Sequence, residues 1–521
     1  MKKFNITGTC FPNRHYMVDL SNRIAQIKKM IDDGQYFCIN RGRQYGKTTT
    51  LNALRGALAN DYEVYSISFE GLDNASYETD RHLAFAIMRQ FQMAALQRSN
   101  NVSEQVREIV SDTVKEYKRD KQIDLDDFTM MIGNMCQVAH RPLVMIIDEV
   151  DQASNYDSFV RILGLLRKMY LERENIPTFQ SVILAGVYDV KNLKLKIRPE
   201  AEHQYNSPWN IASEFNVEMS FNVEDVEGML TAYESDCHTG MNVHDISQLI
   251  IDYTSGYPFL VSKICKTIDE TDKNWSHDGI VEAVKKILHE RNTLFDDMNK
   301  KLDDFPELRT MLKNILYNGE VYKFNIDNKS IELARMFNFI RDNNGVVEIS
   351  NRIFETRLYN AFAFEEENKL QLVQESYIEK NQFIENGQLN VEKIMQRFIV
   401  HYHDIYGDKD EKFHEREGRK YFMFYVKPII NGVGNYYIEA ETRDRTRTDM
   451  IIDYLGKQYI IEMKIWRGES YHERGEKQLL EYLDYYHLDK GYLMSFCFNK
   501  NKQIGVKTIH LGDREIIEGV V

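Results

Sequence analysis

The sequence has 521 residues, of which 43% are hydrophobic and 28% charged, and its formal net charge is −14. This composition is typical of a soluble globular protein with several domains, and the acidic balance argues against a protein that coats nucleic acid. No apolar run reaches membrane-spanning length, no signal-peptide core follows the N-terminus, and the six cysteines form no C-x-x-C pair. We therefore expect a cytoplasmic protein with no membrane partner, zinc site or disulfide framework.

A phosphate-binding loop is predicted from Asn40 to Thr49. An apolar run precedes it and leucines at helical spacing follow it, so the order is strand, loop, helix. In this setting backbone N–H groups and the helix N-terminus bind phosphates, Lys47 adds a full positive charge and Thr48 offers a hydroxyl to Mg²⁺. A basic turn ahead of a helix is the alternative. The residues predicted to bind the nucleotide are Arg43, Gln44, Tyr45, Gly46, Lys47, Thr48 and Thr49.

One position departs from the G-x-x-x-x-G-K-[ST] pattern. Arg41 stands where the first glycine is expected, and we expect Gly42 to supply the missing backbone flexibility.

A second half of the same site is predicted after the apolar run Leu143–Ile147. Such a run suits a central parallel strand, whose carboxyl end is the place where ligands bind in open α/β sheets. Asp148 would then hold Mg²⁺ through its water shell, and Glu149 would polarise the attacking water. A solvated strand end is the alternative.

The middle of the chain is predicted to alternate between strands and long helical stretches. Further strands are expected at Val64–Phe69 and Ser181–Val187, with helices between residues 80 and 140. Tyr188, Asp189 or Arg198 could sense a γ-phosphate, although an ordinary strand end and a surface arginine are the favoured interpretations. Asn222 is expected to cap a helix, and the run Thr254–Leu260 to separate two helices.

This N-terminal two thirds resembles the AAA-ATPase-like family of bacteria, which is related to archaeal-type and STAND P-loop ATPases. The resemblance implies an ATP-binding core, and no guanine-reading Asn-Lys-x-Asp motif follows a predicted strand. The residues that carry it are His15–Asp19, Asn40–Thr49, Ser68–Gly71, Ile147–Asp151, Ser207–Asn210 and Gly256–Pro258.

A different chemical site is predicted near the C-terminus. Gly456 and Lys457 separate two β-like runs, which indicates a hairpin. Alternation places Glu462 and Lys464 on one face, and Asp449 can meet Glu462 across the strand pair. Two carboxylates form a hard oxygen site for Mg²⁺ or Mn²⁺, and the lysine can orient a metal-bound water. An amphipathic hairpin with a solvated charged face is the alternative.

The next predicted helix carries Gln478 and Tyr482 one turn apart, and therefore on the same face. The order of these residues resembles that of the RecB-like branch of the PD-(D/E)XK nucleases, in which an Asp is followed by Glu-x-Lys and then by Gln-x-x-x-Tyr. That resemblance implies catalytic roles for these residues and a helical acid as a further metal ligand, for which Glu415 is our candidate. Thr448 replaces the proline that names the motif. Arg443, Arg445 and Arg447 would supply phosphate contacts, or form an exposed charged loop.

We therefore expect an α/β fold with a P-loop core on a central parallel sheet and a C-terminal α/β nuclease-like fold. The expected activity is nucleotide-gated, metal-dependent hydrolysis of phosphodiesters, with DNA favoured as the nucleic-acid partner; a role in defence or mobile-element biology is implied by resemblance only. The alternative is a STAND-like, ATP-switched signalling or scaffold protein, and a homo-oligomer is compatible with either. The predicted ranges are a P-loop core at 1–215, a helical lid at 216–300, a winged-helix-like region at 301–362, a linker at 363–390 and a nuclease-like domain at 391–521.

Overall fold

A computed structural model of the protein describes most of the chain, in two compact units. The first unit comprises Met1–His238, Tyr257–Lys266 and Met336–Asn338, and the second comprises Thr239–Gly256, Thr267–Arg335 and Phe339–Val521. No helix within the described ranges is long and apolar enough to cross a bilayer. The structure describes residues 2–96, 102–117, 123–187, 209–318, 320–367, 375–376, 378–406, 411–430, 434–441, 447–466, 469–497 and 504–521.

A four-stranded, all-parallel sheet forms the centre of the first unit. Its order is β3-β6-β5-β4, so the strand before the phosphate loop is paired with β6 and not with β5. The first five residues of β5 are all buried, as expected for a strand covered on both faces. The strands are β3 Phe37–Asn40, β4 Glu63–Ser68, β5 Leu143–Asp148 and β6 Ser181–Gly186.

Helices cover this sheet, and the predicted helical stretch between residues 80 and 140 contains three of them. Their valines, isoleucines, leucines and methionines recur at helical spacing and join the strand side chains in one core. The helices are α1 Ser21–Asp32, α2 Lys47–Leu58, α3 Asp80–Leu96, α4 Glu104–Tyr117, α5 Leu125–Val138, α6 Asp157–Leu171 and α7 Val223–Cys237.

Two further features of the first unit involve its helix α7. Asn222 caps α7 as predicted, because its side chain accepts the N–H of Asp225 in a capping box. A short parallel pair, β1 (Lys3–Phe4) with β2 (His15–Tyr16), was not predicted. It packs Tyr16 against Tyr233 of α7, with ring centroids 5.1 Å apart.

The second unit contains helices and two short hairpins before its main sheet. Residues 305–360 contain helices and a hairpin formed by β7 (Ile340–Asn343) and β8 (Val346–Ile349). A second hairpin, β9 (Ile384–Glu385) with β10 (Gln388–Leu389), lies in the range predicted as a linker. The helices are α8 Val243–Thr254, α9 Pro258–Glu270 (partly in the first unit), α10 His277–His289, α11 Thr293–Asp304, α12 Pro306–Asn318, α13 Lys329–Met336 and α14 Arg352–Glu367.

A mixed six-stranded sheet completes the second unit. Its order is β11-β12-β13-β14-β16-β15, with parallel pairs at β13–β14 and β14–β16. The predicted hairpin joins β12 to β13 through Leu455 and Gly456, both at positive φ, as a tight two-residue turn requires. The elements are α15 Val391–Tyr406, α16 Glu411–Ile430, β11 Gly434–Glu441, β12 Arg447–Tyr454, β13 Lys457–Trp466, α17 Glu469–Tyr485, β14 Lys490–Cys497, β15 Gly505–Leu511 and β16 Arg514–Val520.

A buried polar network joins the helices of the second unit to this sheet. Arg352, only 4% exposed, donates to the hydroxyl of Tyr486 at 2.7 Å, and its guanidinium lies over the Tyr253 ring. Tyr253 in turn donates to the buried carboxylate of Asp453 on β12, at 3.4 Å. Burying these charges is costly unless they are paired, so the network requires all of its members.

We predict that Arg352→Met will destabilise the second unit by about 3 kcal/mol, because it leaves the Tyr486 hydroxyl without its donor and deprives the buried carboxylate of Asp453 of a nearby positive charge. Tyr486→Phe, which removes one acceptor, should cost only about 1–2 kcal/mol. Hydrogen exchange of peptides from α8 and α17 measures both effects. Equal protection in Arg352→Met and the parent would refute a stabilising role.

Candidate functional site

The predicted phosphate loop lies between β3 and α2. Gly46 immediately precedes the helix at φ 77°, and Gln44 is also left-handed at φ 57°. The ammonium of Lys47 is buried and donates to the carbonyls of Arg41 and Gly42, at 2.9 and 3.0 Å. The loop therefore curls around the lysine, in the strand–loop–helix context that the sequence predicts.

The two unusual positions of the loop have separate structural explanations. Arg41 donates to the carbonyl of Val217 at 3.2 Å and lies over the ring of Phe215. Gly42 is not among the residues at positive φ, so backbone flexibility does not explain it. A Cβ at this position would lie 2.6 Å from Nδ2 of Asn338 and 3.2 Å from the carbonyl of Phe337. Close approach by that segment explains the glycine.

The two halves of the predicted ATP site meet at a side-chain hydrogen bond. Thr48, at the start of α2, donates its hydroxyl to Oδ2 of Asp148, at the end of β5, over 3.0 Å. These residues are 100 positions apart in the chain, and parallel pairing through β6 brings their strand ends to one edge of the sheet. Hydroxyl and carboxylate oxygens are ligands of the kind that Mg²⁺ takes.

Glu149 follows Asp148 in a left-handed conformation, at φ 55°, which turns the chain out of the strand. A non-glycine residue in this region is strained, and such residues cluster at functional sites. Burial raises the pKa of the Glu149 carboxyl, and the neighbouring Asp148 raises it further, while Lys47 lowers it. A raised pKa suits a group that must accept a proton near neutral pH.

The pKa of Lys47 is shifted in the opposite direction to that of Glu149. Burial lowers the pKa of its ammonium, and the carboxylates of Asp151, Glu149 and Asp148 counteract that effect. Asp151 was not predicted as a site residue, although it lies in the same Asp-Glu-Val-Asp run. Its carboxylate accepts the N–H of Val187 at the end of β6, at 2.6 Å.

The remaining predicted loop residues make contacts within the first unit. The carbonyl of Arg43 accepts the hydroxyl of Tyr257 at 2.5 Å, and the rings of Tyr257 and Tyr45 meet edge to face. The hydroxyl of Thr49 accepts the N–H of Cys10 at 3.1 Å. The sensing candidates Tyr188, Asp189 and Arg198 lie outside the described residues.

In the second unit, four of the predicted nuclease residues are brought together. Oε1 of Glu462, which is fully buried, lies 2.6 Å from Nζ of Lys464, and this ammonium donates to Gln478 at 3.1 Å. Gln478 donates to the hydroxyl of Tyr482, one turn further along α17. The alternative of a solvated charged face is wrong for Glu462, because α17 covers its side of the sheet.

Two predicted metal ligands, Asp449 and Glu415, are described by backbone alone. Met450 pairs with Ile461, so Asp449 of β12 is the next residue in register toward Glu462. Glu415 belongs to α16, where a Cβ on the nearby Gly418 would touch Phe496. Phe496 pairs with Ile465 and thus lies on the sheet face opposite to Glu462. Their side chains, like Arg443, Arg445 and the side chain of Arg447, lie outside the described part.

No group of three or more His, Cys, Asp and Glu side chains that could hold a metal ion occurs among the described residues. The phosphate loop, its buried lysine and the Thr48–Asp148 contact have the arrangement expected of a P-loop nucleotide site. A family model described as "AAA-like domain" matches residues 13–362. The chain belongs to this family of AAA-like proteins. It is thus a protein of the ATPase type, as the sequence predicts for its first two thirds.

Several solved structures are similar to part of this chain at low identity. A Walker-type ATPase of Pyrococcus abyssi is 11% identical, with a TM-score of 0.46, and the match covers 68% of this chain and 99% of that one. Cdc6p from Pyrobaculum aerophilum is 12% identical, with a TM-score of 0.33 and coverages of 69% and 97%. The RuvB branch migration motor of Thermotoga maritima is 10% identical, with a TM-score of 0.32 and coverages of 66% and 95%. No curated protein matches the sequence.

We predict that Gly42→Ala will weaken the seating of residues 336–338 on the phosphate loop. The added Cβ would lie 2.6 Å from Nδ2 of Asn338, and overpacking of this kind costs about 1–3 kcal/mol. Two measurements test this effect: the melting temperature of the protein and the hydrogen exchange of the 336–338 segment. Combining Gly42→Ala with Asn338→Ala should recover much of the loss, and a purely additive double variant would contradict this explanation.

Proposed function

We propose that the AAA-like module binds and hydrolyses ATP. The observation that carries this proposal is the 3.0 Å contact between Thr48 and Asp148 beside the buried ammonium of Lys47. Phosphate oxygens would compete with the carbonyls of Arg41 and Gly42 for that ammonium, and the N-terminus of α2 adds a favourable dipole. Residues Arg43–Thr49 line the phosphates, and Glu149 accepts a proton from the attacking water.

The donor set at this site fits Mg²⁺, which prefers oxygen ligands and keeps several waters. Thr48 and Asp148 would hold the ion, and the ion would neutralise charge on the phosphates. The rest of the chemistry belongs to the chain itself. Lys47 binds and orients the phosphates, and the raised pKa of Glu149 favours proton acceptance from a water near neutral pH.

Two variants separate binding from hydrolysis. Lys47→Ala should weaken ATP binding at least about tenfold, because a hydrogen bond to a charged group is lost. Glu149→Gln should keep the affinity and slow hydrolysis about 10²-fold, because it removes only the proton acceptor. Calorimetry and phosphate release measure the two effects. Hydrolysis at the parent rate in Glu149→Gln would refute the assigned role.

For the C-terminal sheet we propose a metal-dependent nuclease that cleaves DNA under control of the nucleotide. Support comes from the fully buried Glu462 in contact with Lys464, with Gln478 and Tyr482 on the adjoining helix. The order of helix, three antiparallel strands, helix and parallel strand agrees with the resemblance to PD-(D/E)XK nucleases.

The residues proposed to hold Mg²⁺ or Mn²⁺ there are Glu462 and Asp449, which are opposite each other in the strand register. Glu415 is not included, because its helix packs at Gly418 against the other face of the sheet. The carboxylate of Glu462 fits a hard cation, which would lower the pKa of a bound water and neutralise charge on the scissile phosphate. Lys464 orients the water, and Gln478 restrains Lys464. The proposed setting is the cytoplasm of a bacterium, in defence or mobile-element maintenance.

Lys464→Met should reduce Mn²⁺-dependent cleavage of plasmid DNA about 10²-fold, because it removes the group that orients the water. ATP hydrolysis should remain, since these residues lie in the second unit and the phosphate loop in the first. The matched control is Lys507→Met, whose ammonium also pairs with a buried glutamate, Glu518, at 2.8 Å. Equal cleavage by Lys464→Met and Lys507→Met would contradict the nuclease assignment.

The alternative is a STAND-like switch in which ATP binding controls assembly and the C-terminal sheet only binds a partner. The contacts that favour it are those of Tyr257 with the carbonyl of Arg43 and of the 336–338 segment with Gly42. Through these contacts a change in the phosphate loop would reach segments far away in the sequence. Plasmid that stays intact with Mn²⁺ and ATP, together with ATP-dependent oligomerisation, would favour this alternative.

A further inference from the structure

An acidic residue outside the predicted site, Asp151, contacts the strand that separates Glu149 from the phosphate loop. It lies in the short 3-10 turn Val150–Ala153 that follows Glu149. Its Oδ2 accepts the N–H of Val187, the residue that follows β6, at 2.6 Å. A carboxylate that accepts a backbone N–H forms a charge-assisted bond, which is stronger than a neutral one.

The same carboxylate fills the space above Gly186. A Cβ on that glycine would lie 2.9 and 3.1 Å from the two oxygens of Asp151, and 2.9 Å from Cγ2 of Val150. Gly186 is not among the residues at positive φ, so its backbone conformation does not demand glycine. Instead, the close approach of the turn that contains Asp151 is what requires a glycine at this position.

Gly186 extends this contact to the phosphate loop. It pairs with Asn40 of β3, and its carbonyl accepts the N–H of Arg41 at 3.2 Å. The carbonyl of Arg41 in turn accepts a hydrogen bond from the Lys47 ammonium at 2.9 Å. A continuous set of hydrogen bonds thus runs from the turn behind Glu149, across the end of β6, to the lysine of the phosphate loop.

The strand order places Glu149 at a distance from the phosphate loop. Glu149 follows β5, and β6 separates β5 from β3, so the base and the loop lie two strand spacings apart, about 10 Å. We propose that Asp151 is a positioning residue that fixes the turn carrying Glu149 against the end of β6, and so sets its distance from the phosphate loop. This inference rests on the proposed hydrolysis of ATP at that loop.

The test compares binding with turnover in the full-length protein. Asp151→Ala should raise the Kd for a fluorescent ATP analogue far less than it lowers kcat, since it removes a carboxylate near the Lys47 ammonium but no direct contact of the phosphate loop. It should lower kcat about 10- to 10²-fold, the scale expected when a catalytic group is displaced by about 1 Å. Asp151→Asn should recover most of the activity, because the amide oxygen still accepts the N–H of Val187. Gly186→Ala, which forces the carboxylate away, should reproduce the loss.

Glu63 provides a matched structural control. Its fully buried carboxylate also accepts backbone N–H groups, those of Ser103 and His140, but at the amino end of β4, away from the ATP site. Glu63→Ala should lower the melting temperature without changing kcat or Kd.

The outcomes separate the inference from the proposed function. A hydrolytic rate that Glu149→Gln does not change would overturn the proposed function itself. If Glu149→Gln slows hydrolysis as expected, three results would overturn the role of Asp151: a parent kcat in Asp151→Ala, an Asp151→Asn variant as impaired as Asp151→Ala, or a loss of stability alone, as in Glu63→Ala.

Discussion

The parallel pairing of β3 with β6, and of β6 with β5, is the constraint on which the ATP site depends. Parallel strands present their carboxyl ends at one edge, so residues that are a hundred positions apart are delivered to the same place. The phosphate loop leaves β3 there, Asp148 and Glu149 leave β5, and Val187 follows the strand between them. The Thr48–Asp148 and Asp151–Val187 contacts both close across this edge.

Both proposed sites contain a buried charged side chain. Lys47 is almost completely buried, and its ammonium is compensated by loop carbonyls and by the nearby acids of β5 and its turn. Glu462 is fully buried and is compensated by Lys464. An isolated buried charge is strongly unfavourable, so such pairs are retained where a structure or a reaction needs them. The same reasoning covers Arg352 and Asp453, whose contacts join helices to the sheet within the second unit.

Two glycines lie where segments distant in the sequence approach each other closely. Gly42 admits Asn338, and Gly186 admits the carboxylate of Asp151. Neither is explained by a left-handed backbone, in contrast to Gly46 at the start of α2. In a sequence these glycines look alike, because the neighbour that requires the missing side chain comes from a distant part of the chain.

Local patterns were enough to predict the strand–loop–helix unit around Lys47, the buried strand that ends at Asp148, the Asn222 cap and the hairpin of β12 and β13. Each depends on residue periodicity, capping or turn chemistry within a short stretch. The Asn386–Gly387 turn of the β9–β10 hairpin belongs to the same kind of signal, since both residues are at positive φ, yet the range was predicted as a linker. Tertiary structure alone decided the rest: the order β3-β6-β5-β4, the burial of Glu462 beneath α17, and the contact of Asp151 with Val187. These depend on which strands pair and which helix covers them, and the free energy of such long-range packing is not encoded in any one stretch of sequence.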